Sequence, residues 1–279
     1  MCGVVGYVSW KNNDAVENAV NLILRLQHRG QDAAGLSVLS SEDKGLKSLK
    51  GLGLIQNALK DWAKMDRASM AIAHTRYATT GKGGVAEVQP FVKGSPRLAL
   101  AHNGNVVNVA ELSEKIKLDT DVQSDLDFLM QALLQNWDQG LDAAIQYVFD
   151  HFRGSYAVVG LEESGSLFAF RDPWGIRPLY FAHNEERTMI ASETSAFAQY
   201  PKTEVQELAP GEWVSVKDGE LIRGQNKNKI ERKSFCMFES VYFASPQSEF
   251  QNASVYSQRF RLGRQLAKEI EDGIGEDSM

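Results

Sequence analysis

The chain opens Met1-Cys2-Gly3-Val4-Val5-Gly6, and the reading of this stretch decides the rest. Gly3–Ser9 reads as a buried strand with a cysteine at its leading end. A small second residue favours removal of the initiator methionine, which would give Cys2 a free α-amino group. One residue then holds both a nucleophile and a base. A thiol titrates near ~8.5 and an α-amine near ~7.7–8.0, so the amine can take up a proton as sulfur attacks. Taken alone, Cys2 is more readily read as a small buried hydrophobe. Nucleophilic chemistry would also need donors for an oxyanion, a group to hold substrate and a cover.

Candidates for each follow along the chain. Leu98–Ala101 reads as a strand closed by His102-Asn103-Gly104, which offers an amide side chain and a flexible backbone N–H. In isolation the Asn-Gly pair is more simply a hairpin turn. Ser69–His74 reads as a strand leading into Arg76 and the glycine-bearing stretch to Gly84, a candidate mobile loop. Arg76 could clamp a carboxylate bidentately or be a surface arginine. Asp125 could hold an ammonium or cap the helix that begins at Ser124 or Asp125. That helix carries the strongest apolar stripe: Leu126, Leu129, Met130, Leu133, Leu134 and Trp137.

An earlier helix follows Asn13 or Asp14, with Val16, Val20, Ile23, Leu24 and Gln27 on one face. Another spans Leu141–Phe152. After Gly154 come short strands, with hairpin turns at Glu163-Ser164-Gly165 and Lys217-Asp218-Gly219. Helices set among strands imply an α+β fold. Gly224–Lys233 reads as a linker. An aromatic stretch, Phe235–Ala244, then precedes a helix from Val255 to Glu271 whose Leu262, Leu266 and Ile270 need a partner surface, so the tail is expected to be covered by self-association or a partner chain, or to fold back on the rest of the chain.

Composition narrows the class. At 279 residues there is room for one large domain or two small ones. With a net charge of −6 and no basic stripe, a nucleic-acid partner is not expected. Two cysteines, Cys2 and Cys236, give no disulfide framework and are too few for a cysteine-only metal site, so no cofactor or metal is expected. No apolar run approaches ~20 residues and the N-terminus lacks a signal peptide's basic region, so a cytoplasmic protein without a membrane partner is expected.

Ordered together, these segments resemble the class II (N-terminal nucleophile) glutamine amidotransferases, and within them the glutaminase domain of the amidophosphoribosyltransferases of purine synthesis. The matching stretches are the opening hexapeptide, Leu26–Gly35 with its Arg29-Gly30-Gln31-Asp32, His74–Thr79, His102-Asn103-Gly104, Ser124–Asp127, Arg171–Leu179, Ala191-Ser192-Glu193 and Leu208–Glu212. Cys236–Ala244 resembles the passage into that family's phosphoribosyltransferase domain. The resemblance implies a four-layer αββα sandwich of antiparallel sheets, with Cys2 as nucleophile and, through its amine, base. It implies Asn103 and Gly104 as the oxyanion hole, and glutamine held by Arg76 and Asp125 with His102 and Thr79 beside it. Residues 76–84 would be the loop over glutamine, and Arg29, Asp32, Arg171, Asp172 and Arg177 scaffold.

There are departures. Asp127 stands where the family often has Glu. Ala244-Ser245-Pro246-Gln247-Ser248 lacks the family's Arg and Asp. No adjacent Asp-Asp and no Gly/Thr phosphate loop occur, so the phosphoribosyltransferase domain is not expected here, and no iron–sulfur cluster at Cys236. The expected division is residues 1–231 as glutaminase and 232–279 as a tail resembling the start of the second domain. The expected activity is hydrolysis of glutamine to glutamate and ammonia through a Cys2 thioester, with the ammonia passing to a partner protein, or self-association through the tail. The alternatives are one piece of a split or truncated amidophosphoribosyltransferase, or a non-catalytic glutamine-binding paralogue.

Overall fold

The computed structural model describes all residues except 78–83, 116–123, 202, 229, 231–232, 251 and 274–279. In chain order the elements are β1 (Gly3–Ser9), α1 (Ala15–Leu24), β2 (Ala33–Ser40), β3 (Leu46–Leu52), α2 (Ile55–Ala58), β4 (Ala68–Arg76), β5 (Phe91–Lys93) and β6 (Leu98–Val106). They continue with α3 (Val109–Lys115), α4 (Asp125–Asn136), α5 (Leu141–His151), β7 (Gly154–Glu162), β8 (Ser166–Arg171), β9 (Tyr180–His183), β10 (Arg187–Ala191) and β11 (Gln206–Glu207). The last are β12 (Glu212–Lys217), β13 (Glu220–Gln225), β14 (Glu249–Phe250), β15 (Ala253–Ser254) and α6 (Val255–Gly273).

Two antiparallel sheets carry the architecture. One has the order β11-β9-β10-β1-β4-β2-β3 and the other β13-β12-β8-β7-β6-β5. Three apolar clusters fill the three spaces between four layers. Val5, Tyr7 and Leu36 pack under Val20 and Ile23 of α1. Val4, Ile72, Ala101 and Val159 lie between the sheets. Leu98 and Leu100 pack under Leu129 and Leu133 of α4 and Ile145 of α5. Side chains alternate along a strand, so β1 feeds Val4 and Val8 to the inter-sheet space and Val5 and Tyr7 to the α1 side. Covered on both faces, all seven of its residues are buried, which is why it reads as an apolar run. The αββα sandwich implied by the resemblance is the fold.

Local chemistry accounts for the element ends. Ser124 and Asp127 close a reciprocal capping box on α4, the Ser124 hydroxyl accepting from the Asp127 N–H and the Asp127 carboxylate from the Ser124 N–H. The shorter Asp thus still completes the box. Asp218 (φ 51°) and Gly219 (φ 84°) turn the β12–β13 hairpin in the left-handed region. Among the described residues no helix is long and apolar enough to cross a membrane.

Two findings differ from the sequence reading, and a third decides between its alternatives. The strand through Leu98–Ala101 does not stop at His102: β6 runs to Val106 and pairs His102, Asn103 and Gly104 with Val158, Ala157 and Tyr156 of β7. The Asn-Gly pair is therefore strand, not turn. Gln27 is not on the α1 face, because that helix ends at Leu24 and a separate 3₁₀ turn spans Gln27–Arg29. The first part of the tail folds back on the core: Ala244, Phe250 and Val255 join the cluster beneath α1. Beyond Val255, Leu262, Leu266 and Ile270 of α6 are exposed, as are Tyr256 and Phe260.

Two glycines test the packing in opposite directions. A Cβ at Gly35 would meet the Gln89 carbonyl oxygen at 2.1 Å, whereas one at Gly263 on α6 meets nothing within 4 Å. Gly35→Ala is expected to cost about 1–3 kcal/mol in urea unfolding, and Gly263→Ala to be neutral or to stabilise by up to about 1 kcal/mol. Equal effects at the two sites would refute this packing.

Candidate active site

Period-two alternation in β6 sends neighbouring side chains into different layers. Asn103 shares the parity of Ala99 and Ala101, which face the other sheet, while His102 shares that of Leu98 and Leu100, which face α4. Each finds a partner there. Asn103 Oδ1 accepts the Cys2 backbone N–H at 3.1 Å, joining the two sheets at the head of β1. Its Nδ2 is buried with no hydrogen-bond partner among the described residues. A buried amide donor left unpaired costs on the order of 1–3 kcal/mol unless something else uses it.

His102 is read twice by Gln89, whose Oε1 accepts the His102 backbone N–H at 2.7 Å and whose Nε2 donates to Nδ1 at 3.0 Å. The proton of the neutral ring therefore sits on Nε2, which donates to Asp125 Oδ2 at 3.3 Å. The same oxygen accepts the Val106 N–H at 3.0 Å. Burial works to raise the Asp125 carboxyl, but His102 and the backbone N–H groups of Val106 and Leu126 bring it below its ordinary value. Asp125 is thus a carboxylate at the first turn of α4, where the helix dipole also favours negative charge.

A cleft of ≈ 310 Å³ is lined by Cys2, Arg76, Gln89, His102, Gly104 and Asp125 among others, with Asn103 buried behind it against Cys2. Arg76 lines it and pairs with Glu87 at 2.6 Å. The Leu26–Gly35 segment fixes where Arg76 begins: the Thr75 hydroxyl donates to Gly30 O (2.7 Å) and Asp32 N–H to Arg76 O (3.1 Å). A Cβ on Gly30 would meet the Arg76 backbone at 2.5 Å. Gly104 is needed for a similar reason, since a Cβ there would strike Ser155 O at 2.0 Å. That close approach to β7, not a turn, is what the glycine permits.

Under the cysteine lies a buried charge cluster. Arg29 is fully buried; its Nε donates to Cys2 O at 2.9 Å. Its other nitrogens meet Glu239 Oε1 and Oε2, both at 2.9 Å, and Glu193. His28 Nε2 also meets Glu193 at 2.9 Å. Burial raises the Glu193 carboxyl, yet Arg29 and His28 hold it far below the usual carboxylate range. Burial pushes the Cys2 thiol up, opposed by a Tyr77 backbone hydrogen bond and by the charges of Arg29 and Arg76. Farther along, Arg171 binds three carbonyls, of Gly175, Arg177 and Leu208, and Asp172 accepts the N–H groups of Trp174, Ile176 and Arg177. Both brace the turn after β8.

The structure therefore brings together Cys2, Asn103, Gly104, Arg76, Asp125 and His102 from the sequence-derived set. Thr79, and residues 78–83 of the loop reading, lie outside the described residues. Gln89, Glu87, Glu193 and Glu239 were not singled out as site residues. Glu193 and Glu239 stood in quoted stretches without a role of their own, and nothing in the spacing of Gln89 and Glu87 marked them.

Comparison with known proteins gives a consistent result. A glutamine amidotransferase domain family matches residues 74–199. The chain is 37% identical to an amidophosphoribosyltransferase of Pseudomonas aeruginosa, across 97% of this chain and 57% of that protein. It is 32% identical to that of Methanocaldococcus jannaschii (96% and 61%) and 35% to that of Saccharomyces cerevisiae (97% and 58%). The chain thus spans roughly three-fifths of the curated relatives it matches. Among solved structures it is similar to one described as the allosteric regulatory enzyme of purine biosynthesis (TM-score 0.86, 32% identity, 96% of this chain and 58% of that one). It is also similar to the Bacillus subtilis glutamine phosphoribosylpyrophosphate amidotransferase complexed with ADP and GMP (TM-score 0.84, 31% identity, 96% and 58%).

The depressed carboxyl of Glu193 has a pH consequence. A group whose folded value is lowered contributes stability that is present above the unfolded value, ~4.3 for Glu, and lost as pH falls toward the folded one. Urea unfolding between pH 7 and 3 is expected to show a falling acid limb that Glu193→Gln flattens. An unchanged limb in that variant would remove Glu193 from the acid response.

Proposed function

From a chain that carries a glutamine amidotransferase domain, we propose glutamine hydrolysis at Cys2, with Asn103 as the observation that carries the reading. Its amide is oriented by the Cys2 N–H, and its Nδ2 is buried with no hydrogen-bond partner among the described residues. That is the arrangement of a donor kept for a charge that develops during reaction. Cys2 is the nucleophile, and removal of Met1 frees its amine to serve as base. The sulfur attacks the carboxamide carbon while its proton passes to the amine. The oxyanion is met by Asn103 Nδ2 and the Gly104 N–H. The C–N bond breaks as the amine returns the proton to the leaving nitrogen, releasing ammonia. Water then attacks the thioester, and glutamate and the thiol are regenerated.

Arg76 and Asp125, both lining the cleft, suit the two charged groups of an amino acid. Arg76 holds the α-carboxylate in place of, or beside, Glu87, and Asp125 accepts the α-ammonium while His102 orients it. Thr79, outside the described residues, is assigned to the same substrate on the resemblance alone. Residues 1–231 form the glutaminase unit, and 232–279 lead toward the acceptor side. The relatives' name points to phosphoribosyl pyrophosphate as the ammonia acceptor, at a site outside the residues of this chain.

Intact mass of active protein is expected to show Met1 missing; activity from a chain that retains it would remove the amine as base. Cys2→Ala should abolish glutamine hydrolysis with the fold intact, and a glutamine-mimicking electrophile should label Cys2 and spare Cys236.

Asn103→Ala is expected to lower kcat by about 10²–10³-fold, whereas Arg76→Ala should chiefly raise KM for glutamine. Swapped kinetic signatures would invert the two roles.

A further inference from the structure

The peptide groups on both sides of Cys2 are held by side chains from far away in sequence. Its N–H goes to Asn103, and its carbonyl to Arg29 Nε. Once Met1 is removed, the carbonyl side is also the nucleophile's sole covalent tether to the fold. What fixes Arg29 therefore helps fix the sulfur.

A guanidinium is a planar fork, so a bidentate carboxylate sets the plane in which all its N–H groups point. That carboxylate is Glu239, with Nη1 to Oε2 and Nη2 to Oε1 both at 2.9 Å. Glu239 is itself fully buried. It does not come from the sandwich. It belongs to a π-helical turn, Glu239–Phe243, in the tail. The same tail segment is clasped a second time through Glu193, whose Oε2 accepts the Ser245 N–H at 2.9 Å and the Ser248 hydroxyl at 2.7 Å.

We propose that Glu239 is a positioning residue for the nucleophile, acting through Arg29 on the Cys2 carbonyl, so that docking of the 236–248 segment sets the competence of the glutaminase centre. The proposal rests on the reading of Cys2 as nucleophile. It makes the tail part of the machinery of the first half-reaction. Displacement of this turn by an event on the acceptor side would reach the sulfur through three polar contacts, with no change in the glutamine cleft itself.

The discriminating variant is Glu239→Gln in the full chain. It removes one of two carboxylates around a single guanidinium and leaves the Arg29–Glu193 pair, so no uncompensated charge is buried. The glutamine side chain cannot accept from both arms of the fork. Active sites are counted by titration with a glutamine-mimicking electrophile, and turnover is expressed per titrated site. The expected result is a fall in kcat per site of about 10-fold or more, as for a misplaced reacting group, with KM for glutamine within about 2-fold of wild type. Glu239→Asp, which keeps the charge on a shorter arm, should recover part of the loss. Should the Gln variant not fold, Arg29→Lys and Glu239→Asp are read in the same way.

Unchanged kcat per titrated site in these variants would overturn the proposal, whatever happens to melting temperature. So would a rise in KM with kcat intact. Cys2→Ala run alongside separates the two failures: turnover in that variant condemns the nucleophile, while an inactive Cys2→Ala beside a fully active Glu239→Gln condemns only the role of Glu239.

Discussion

One hydrogen bond between sheets organises this molecule: the Cys2 N–H on Asn103 Oδ1, at 3.1 Å. Cys2 heads the strand in the middle of one sheet and Asn103 lies in the other, so the bond exists only if the sheets pack in one register. The inter-sheet cluster supplies that register with interlocking small and branched side chains such as Val4, Ala101 and Val159. A close-packed interior of this kind resists sliding, because each methylene displaced is felt. The large apolar layers hold a geometry that a polar pair could not hold by itself, since a single hydrogen bond contributes only about 1 kcal/mol net.

The polar groups around that bond form two independent supports. On the α4 side, Gln89 fixes the tautomer and the plane of His102, which in turn steadies Asp125 against its neighbours. On the α1 side, Arg29 draws in Glu193 and Glu239. Removing the guanidinium from such a buried cluster leaves its carboxylates uncompensated, whereas the intact cluster adds little net stability. Its value lies in direction: a guanidinium saturated by carboxylates has no freedom left for its Nε–H, and that bond ends on the residue proposed to attack. The third apolar layer, beneath α4 and α5, keeps the helix N-terminus where Asp125 can face the cleft.

Much of this was legible in the chain. The apolar run of β1 and the stripe on α4 follow from local rules that tertiary contacts reinforce, whereas the cap of α4 falls to Ser124 with Asp127 and not to Asp125. The site residues were legible as a set because they recur in order along the chain. Where reading failed, the reason is physical. Gly104 carries the signature of a turn, yet its lack of a side chain serves an approach to Ser155 across a strand pair. β3 went unseen because, as an edge strand, it leaves much of Leu46-Lys47-Ser48-Leu49-Lys50-Gly51-Leu52 in water and shows no steady alternation. Gln89 and Glu239 look like surface residues in sequence; only folding brings a carboxamide against His102 and a carboxylate against Arg29. That the tail packs back on the chain is one of the outcomes its apolar residues allow; that Glu239 binds its first part to Arg29 is not visible in sequence.

The central claim is that Asn103 and Gly104 await an oxyanion beside Cys2. A crystal structure of the mature chain inactivated by a glutamine-mimicking electrophile tests it most directly. The expected adduct is bonded to Cys2 Sγ, with its carbonyl oxygen within hydrogen-bond distance of Asn103 Nδ2 and the Gly104 N–H. Its α-carboxylate should lie on Arg76 and its ammonium on Asp125. An adduct on Cys2 whose oxygen points away from Asn103, or whose amino-acid end lies outside this cleft, would contradict the account.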